Sequence, residues 1–60
     1  MNHLKTLRLQ HGYATLRALS VATGISANLL GQQESGKAGI NYATMVALST
    51  LYGLPIREII

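Results

Sequence analysis

The sequence predicts an all-α protein, a compact bundle of five short helices. Three observations point there. Apolar residues recur at spacings of three or four, as at Leu4 and Leu7, at Leu16 and Leu19, and at Met45, Leu48 and Leu51. Most of these stripes are bracketed by a polar capping residue before and a glycine after, the punctuation of helices. No segment alternates Val and Thr at period two, and no Asn-Gly or Asp-Gly hairpin signal occurs.

The first helix is expected from Asn2 to Gln10. Asn2 is its cap, Leu4 and Leu7 are its inward stripe, and Lys5 and Arg8 stand beside that stripe. His11-Gly12 ends it. The second helix spans Leu16 to Thr23 behind the cap Thr15, with Leu16, Leu19, Ser20 and Thr23 facing in and Arg17 facing out. Gly24 closes the turn, Ile25 plugs the space between two helices, and Ser26 caps the third helix. That helix runs from Ala27 to Glu34 or Ser35, with Leu30 and Gln33 inside, Asn28 and Gln32 outside, and Gly36 as its stop. After a loop at Ala38-Gly39-Ile40, Asn41 caps a fourth helix from Tyr42 to Tyr52, stopped by Gly53. Pro55 suits the first turn of a fifth helix, Pro55 to Ile60, because a missing N–H costs nothing there.

With 60 residues the chain makes one domain, and cores this small are usually reinforced. No Cys is present to form a disulfide, and His3 and His11 lack the companions of a zinc site. Tight helical packing and self-association remain. Hydrophobic residues make up 48% and charged residues 12%, so an apolar surface patch is expected. Five Lys and Arg against two Asp and Glu give a net charge of +3, which favours an anionic partner. No apolar run suits a bilayer crossing, and Met1 to Lys5 lacks the form of a signal peptide, so a soluble, intracellular protein is expected.

Catalysis finds little material. Glu34 and Glu58 are the only carboxylate side chains, each on its own helix, and no nucleophile stands beside a base. Gly36-Lys37 lacks the spacing of a phosphate loop. No catalytic residue, metal, cofactor or small-molecule ligand is expected.

The run Thr15-Leu16-Arg17-Ala18-Leu19-Ser20, then Thr23-Gly24-Ile25-Ser26 and Glu34-Ser35-Gly36-Lys37, resembles the helix-turn-helix family of Cro and lambda-repressor-like proteins from phages and bacteria. The motif covers about residues 15–36. The opening at Leu7-Arg8 and the closing segment from Gly53 to Ile60 extend the resemblance over nearly the whole chain. It implies a lambda-repressor-like five-helix fold and sequence-specific binding to the major groove of double-stranded DNA. It also implies a homodimer on a palindromic operator, repression of transcription, and a cytoplasmic, nucleoid-associated location.

The resemblance assigns base reading to Ala27 and Asn28 at the start of the third helix and to Gln32 one turn on. The residue chemistry agrees: Asn and Gln amides pair bidentately with adenine, and an Ala methyl meets a thymine methyl. Ser26 caps its helix and is also placed to touch phosphate. Arg17 and Lys37 flank the helix as phosphate-neutralising cations, with Lys5 a weaker candidate. Asn41 and Tyr42 present the N–H groups and positive dipole end of the fourth helix, a further phosphate contact. Arg8 and Glu34 are expected to pair between the first and third helices. Leu54, Ile56, Ile59 and Ile60 form a crowded apolar segment assigned to contact between two copies, Ile56 and Ile59 being the best suited to turning inward.

The chain departs from the family pattern at three places. Leu16 stands where a phosphate-holding Gln is usual. Gly31 lies inside the third helix, at a cost of about 0.8–1 kcal/mol relative to Ala. Tyr13-Ala14 adds a residue between the first two helices. Gln33 also occupies a usually apolar position. Leu16, Gly31, Ala27 and the low basic charge support the alternative reading, an interaction module of the same fold without specific DNA binding. A membrane-surface peptide is a weaker rival, because the cations are spread over several helices rather than gathered on one face.

Overall fold

A computed structural model describes residues 3–59. Four α-helices follow one another: α1 (Leu4–Gln10), α2 (Leu16–Thr23), α3 (Ala27–Ser35) and α4 (Tyr42–Tyr52). A single 3-10 turn, Ile56–Glu58, closes the order. There is no strand among the described residues.

Local hydrogen bonds explain most boundaries. The Thr15 hydroxyl accepts from the Ala18 N–H at 3.1 Å, the Ser26 hydroxyl from Leu29 N–H at 3.0 Å, and the Asn41 carboxamide oxygen from Thr44 N–H at 2.8 Å. Each satisfies one of the N–H groups that a helix start leaves over. The turn between α2 and α3 is built the same way. Gly24 takes φ +77° and returns its N–H to Ser20 O at 2.8 Å. The Thr23 hydroxyl donates to Leu19 O and accepts from Ile25 N–H, which leaves Ile25 against the core.

Two boundaries differ from the sequence expectation. α1 begins at Leu4, with His3 before it and no side-chain cap; Asn2, the expected cap, lies outside the described residues. The fifth helix is replaced by the 3-10 turn. Pro55 has φ −65° and ψ 151°, which is extended, so it precedes the turn rather than opening a helix. Six residues are too few to nucleate an α-helix from their own hydrogen bonds. The turn is set instead by two i to i+3 bonds, Glu58 N–H to Pro55 O and Ile59 N–H to Ile56 O, both at 2.9 Å.

The core takes one residue from each segment: Leu4, Leu19, Leu30, Leu48 and Ile59. Leu7, Tyr13, Leu16, Ile25, Ile40, Leu51, Tyr52 and Leu54 pack around them, half-buried. α2 packs on α3 and α4, α1 on α3, and the 3-10 turn on α4. Ile59 is wholly buried, so its assignment to a contact between copies is corrected: the chain's own core consumes it. Ile56 and Leu54 are half-buried, and Ile60 lies outside the described residues.

Three polar residues are buried with the core: Arg8, Gln33 and Thr44. Gln33 donates from Nε2 to Gly39 O at 3.3 Å, tying α3 to the loop before α4. His3 is exposed, and it hydrogen-bonds through Nε2 to Glu58 O at 2.7 Å and so joins the start of α1 to the closing turn. His11 lies flat on Tyr52, ring centroids 4.2 Å apart, while its Nδ1 bonds Leu7 O at 2.8 Å. No described helix is long and apolar enough to cross a membrane.

Candidate nucleic-acid interface

α3 offers a continuous outward strip. Leu30 and Gln33 anchor its inner side, which leaves Asn28, Gln32 and Ser35 exposed and Ala27 and Gly31 half-exposed on the other. This follows from helical spacing: positions three and four apart share a face. Because Ser26 supplies the cap, the first turn of α3 is formed and aimed without a partner.

The strip borders a shallow depression of about 370 Å³ lined by Leu16, Ala27, Asn28, Gly31, Gln32, Ser35 and Lys37. Three expected base-reading residues and one expected phosphate cation therefore share one site. A second depression of about 420 Å³ adjoins it through Leu16, Gly31 and Ser35, and Lys5 and Glu34 complete its lining. Arg17 and Ser26 are exposed and each is adjacent in sequence to a lining residue. Asn41 and Tyr42 are exposed at the start of α4 and line neither depression; Tyr42 is 71% accessible. The Asn41 oxygen is taken up by Thr44, so what that helix start can present outward is the Asn41 amide N–H and the first backbone N–H groups.

Electrostatically the site is cationic. Lys5, Arg17 and Lys37 are exposed, while the one carboxylate at its edge is already engaged. Arg8 donates from Nε to Glu34 Oε2 at 2.8 Å and from Nη2 to Oε1 at 3.4 Å. Its Nη1 donates to Tyr13 O at 2.9 Å. The two side chains are 6% and 11% exposed, so the pair sits beneath the surface, joins α1 to α3 and fixes the linker before α2. Behind it, Tyr52 has its hydroxyl buried with no hydrogen-bond partner among the described residues. Burial above all, then the Glu34 charge and Tyr13, push its phenol from 10.0 up to about 12, with Arg8 acting the other way.

One feature of the site was not legible residue by residue. Leu16 and Gly31 each depart from the family pattern, and the fold brings them together: a Cβ added at Gly31 would stand 3.1 Å from Leu16 Cδ1. The glycine makes room for the leucine. A large residue opposite a missing side chain was the available signal, but nothing in the spacing of positions 16 and 31 announces their contact.

Compared with family models, with curated proteins and with solved structures, the chain matches none.

Proposed function

We propose that this chain is a sequence-specific DNA-binding regulator of the Cro and lambda-repressor-like kind, with α3 lying in the major groove and operator occupancy blocking transcription. One observation carries the reading. Asn28 and Gln32, four residues apart on a capped helix, both stand exposed beside a single depression that Lys37 also lines. Side-chain amides at that spacing suit two adenines, each donating to N7 and accepting from N6. Ala27 adds a methyl contact. Ser26, Arg17, Lys37, Asn41 and Tyr42 hold phosphates on either side and so set the register of α3.

A duplex with two-fold symmetry then calls for two copies, their reading helices about 34 Å apart. Leu54 and Ile56 remain as the described residues for that contact, with Ile60 beyond them. Selection of bound sequences from a random duplex pool tests the reading directly. An enriched palindrome with A·T pairs in each half-site is the expected result; no enrichment over the starting pool would end it.

The alternative, an interaction module of the same fold, is favoured by the exposed apolar residues, Val21 at 81% above all. A titration with random duplex at two salt concentrations separates the readings. A DNA binder loses affinity steeply as salt rises, by the release of counterions, and an interaction module does not.

A further inference from the structure

We propose that Gln33 is a positioning residue for phosphate contact: its buried amide holds the loop between α3 and α4 so that Lys37 and the start of α4 meet the backbone of the duplex that α3 reads. The proposal rests on the DNA-binding reading above. Gln33 has no exposed surface, on a helix face that ordinarily takes apolar residues. A wholly buried amide needs hydrogen-bond partners. One such partner lies outside its own helix: Nε2 donates to Gly39 O at 3.3 Å, six residues on and past the end of α3.

The loop has few other ties to fix its course. It contains Gly36 and Gly39, the residue type with the widest backbone freedom, and Lys37 is its one charge. Gly36 N–H returns to Gln33 O at 3.4 Å and Ala38 N–H to Gln32 O at 3.1 Å, which hold the backbone on each side of Lys37. Those bonds end at residue 38. The Gln33 side chain carries the tie on to Gly39, Ile40 then packs against the core, and Asn41 caps α4 directly afterwards. The run from the exposed Lys37 to the exposed start of α4 is thus tied down from the inner side of the reading helix. Two adjacent amides divide the work. Gln32 is exposed towards the bases, and Gln33 fixes where the phosphate-holding groups stand relative to that face. Methionine or leucine would fill much the same space but has no N–H to reach Gly39.

Gln33→Met and Gln33→Leu are therefore the variants to compare. Gly39 is exposed, so its carbonyl can turn to water, and the fold should persist, as a thermal melt will check. Binding is measured on the duplex enriched from the random pool, with single phosphates replaced by uncharged methylphosphonates. Lys37→Gln and Arg17→Gln identify which replacements cost affinity on the loop side and which on the α2 side, because each penalty disappears with its cation. In both Gln33 variants the loop-side penalties should vanish, while the Arg17-side penalties and the loss on changing an A·T pair remain. The slope of log affinity against log salt should become shallower by about one, as for one lost phosphate contact. Loop-side penalties retained in a folded variant would make Gln33 core filling and overturn the proposal. Loss of the cooperative melt in both variants, or an equal weakening on both sides, would assign Gln33 to stability alone and also overturn it. A pool with no enriched duplex would remove the DNA reading and the role of Gln33 together.

Discussion

Arg8 engages all three nitrogens of its guanidinium inside the protein, two with Glu34 and one with Tyr13 O. A pair this buried is costly to halve. Removing one partner leaves the other desolvated, which costs about 3–5 kcal/mol, whereas an exposed pair contributes at most ~1 kcal/mol. Thermal melts of Glu34→Gln, Arg8→Met and the double variant should therefore be non-additive, with the double less damaged than the sum of the singles. Asn28 and Gln32 should behave oppositely. Both are exposed, so Asn28→Ala and Gln32→Ala should melt like the parent while each losing about 1–3 kcal/mol of specific DNA affinity. Binding to random duplex should barely change, and equal binding to the enriched duplex would take α3 out of the groove. At this scale the sequence was readable wherever helical spacing decides the face: Leu30 and Gln33 inside, Asn28 and Gln32 outside. Thr44 was not readable, because its burial comes from what α4 packs against and not from its own polarity.

Elements were legible where their ends are written in local hydrogen bonds. The capped starts of α2, α3 and α4 and the glycines after them are fixed by residues within a few positions of one another, and sequence reasoning placed them well. The closing segment shows the converse. Its conformation depends on Ile59 entering a core assembled from residues far away and on His3 reaching Glu58, so its own six residues carried too little information. The C-terminal end of α4 gives a test by pH. Tyr52 keeps its proton more tightly folded, at about 12, than at the ordinary 10.0. Its contribution to stability is therefore complete below pH 10 and declines as pH rises through the interval to about 12. Tyr52→Phe should flatten that part of the decline when chemical denaturation is followed across the interval. It should not weaken the protein at neutral pH, since the hydroxyl it removes is buried without a partner. An unchanged alkaline decline in the variant would assign it to other groups.

For the whole molecule the governing fact is the thinness of the core. At roughly 0.05–0.15 kcal/mol per residue, a domain of this size has about 3–9 kcal/mol of stability. Deleting most of one buried aliphatic side chain costs about 2–5 kcal/mol. Ile59→Ala should thus bring the chain near or below its folding threshold, seen as a lost or strongly lowered cooperative melt. A variant that melts like the parent but changes stoichiometry on DNA would return Ile59 to the contact between copies.

The position of Ile59 also bears on the protein's synthesis. Translation adds residue 59 after every other core residue, and until then the core that the capped helices enclose is open on one side. During that interval Leu4, Leu19, Leu30 and Leu48 lack the side chain that closes them over. A released chain that ends at Pro55 should be cut by protease at a rate typical of unfolded chains, whereas the chain that includes residue 59 should be protected.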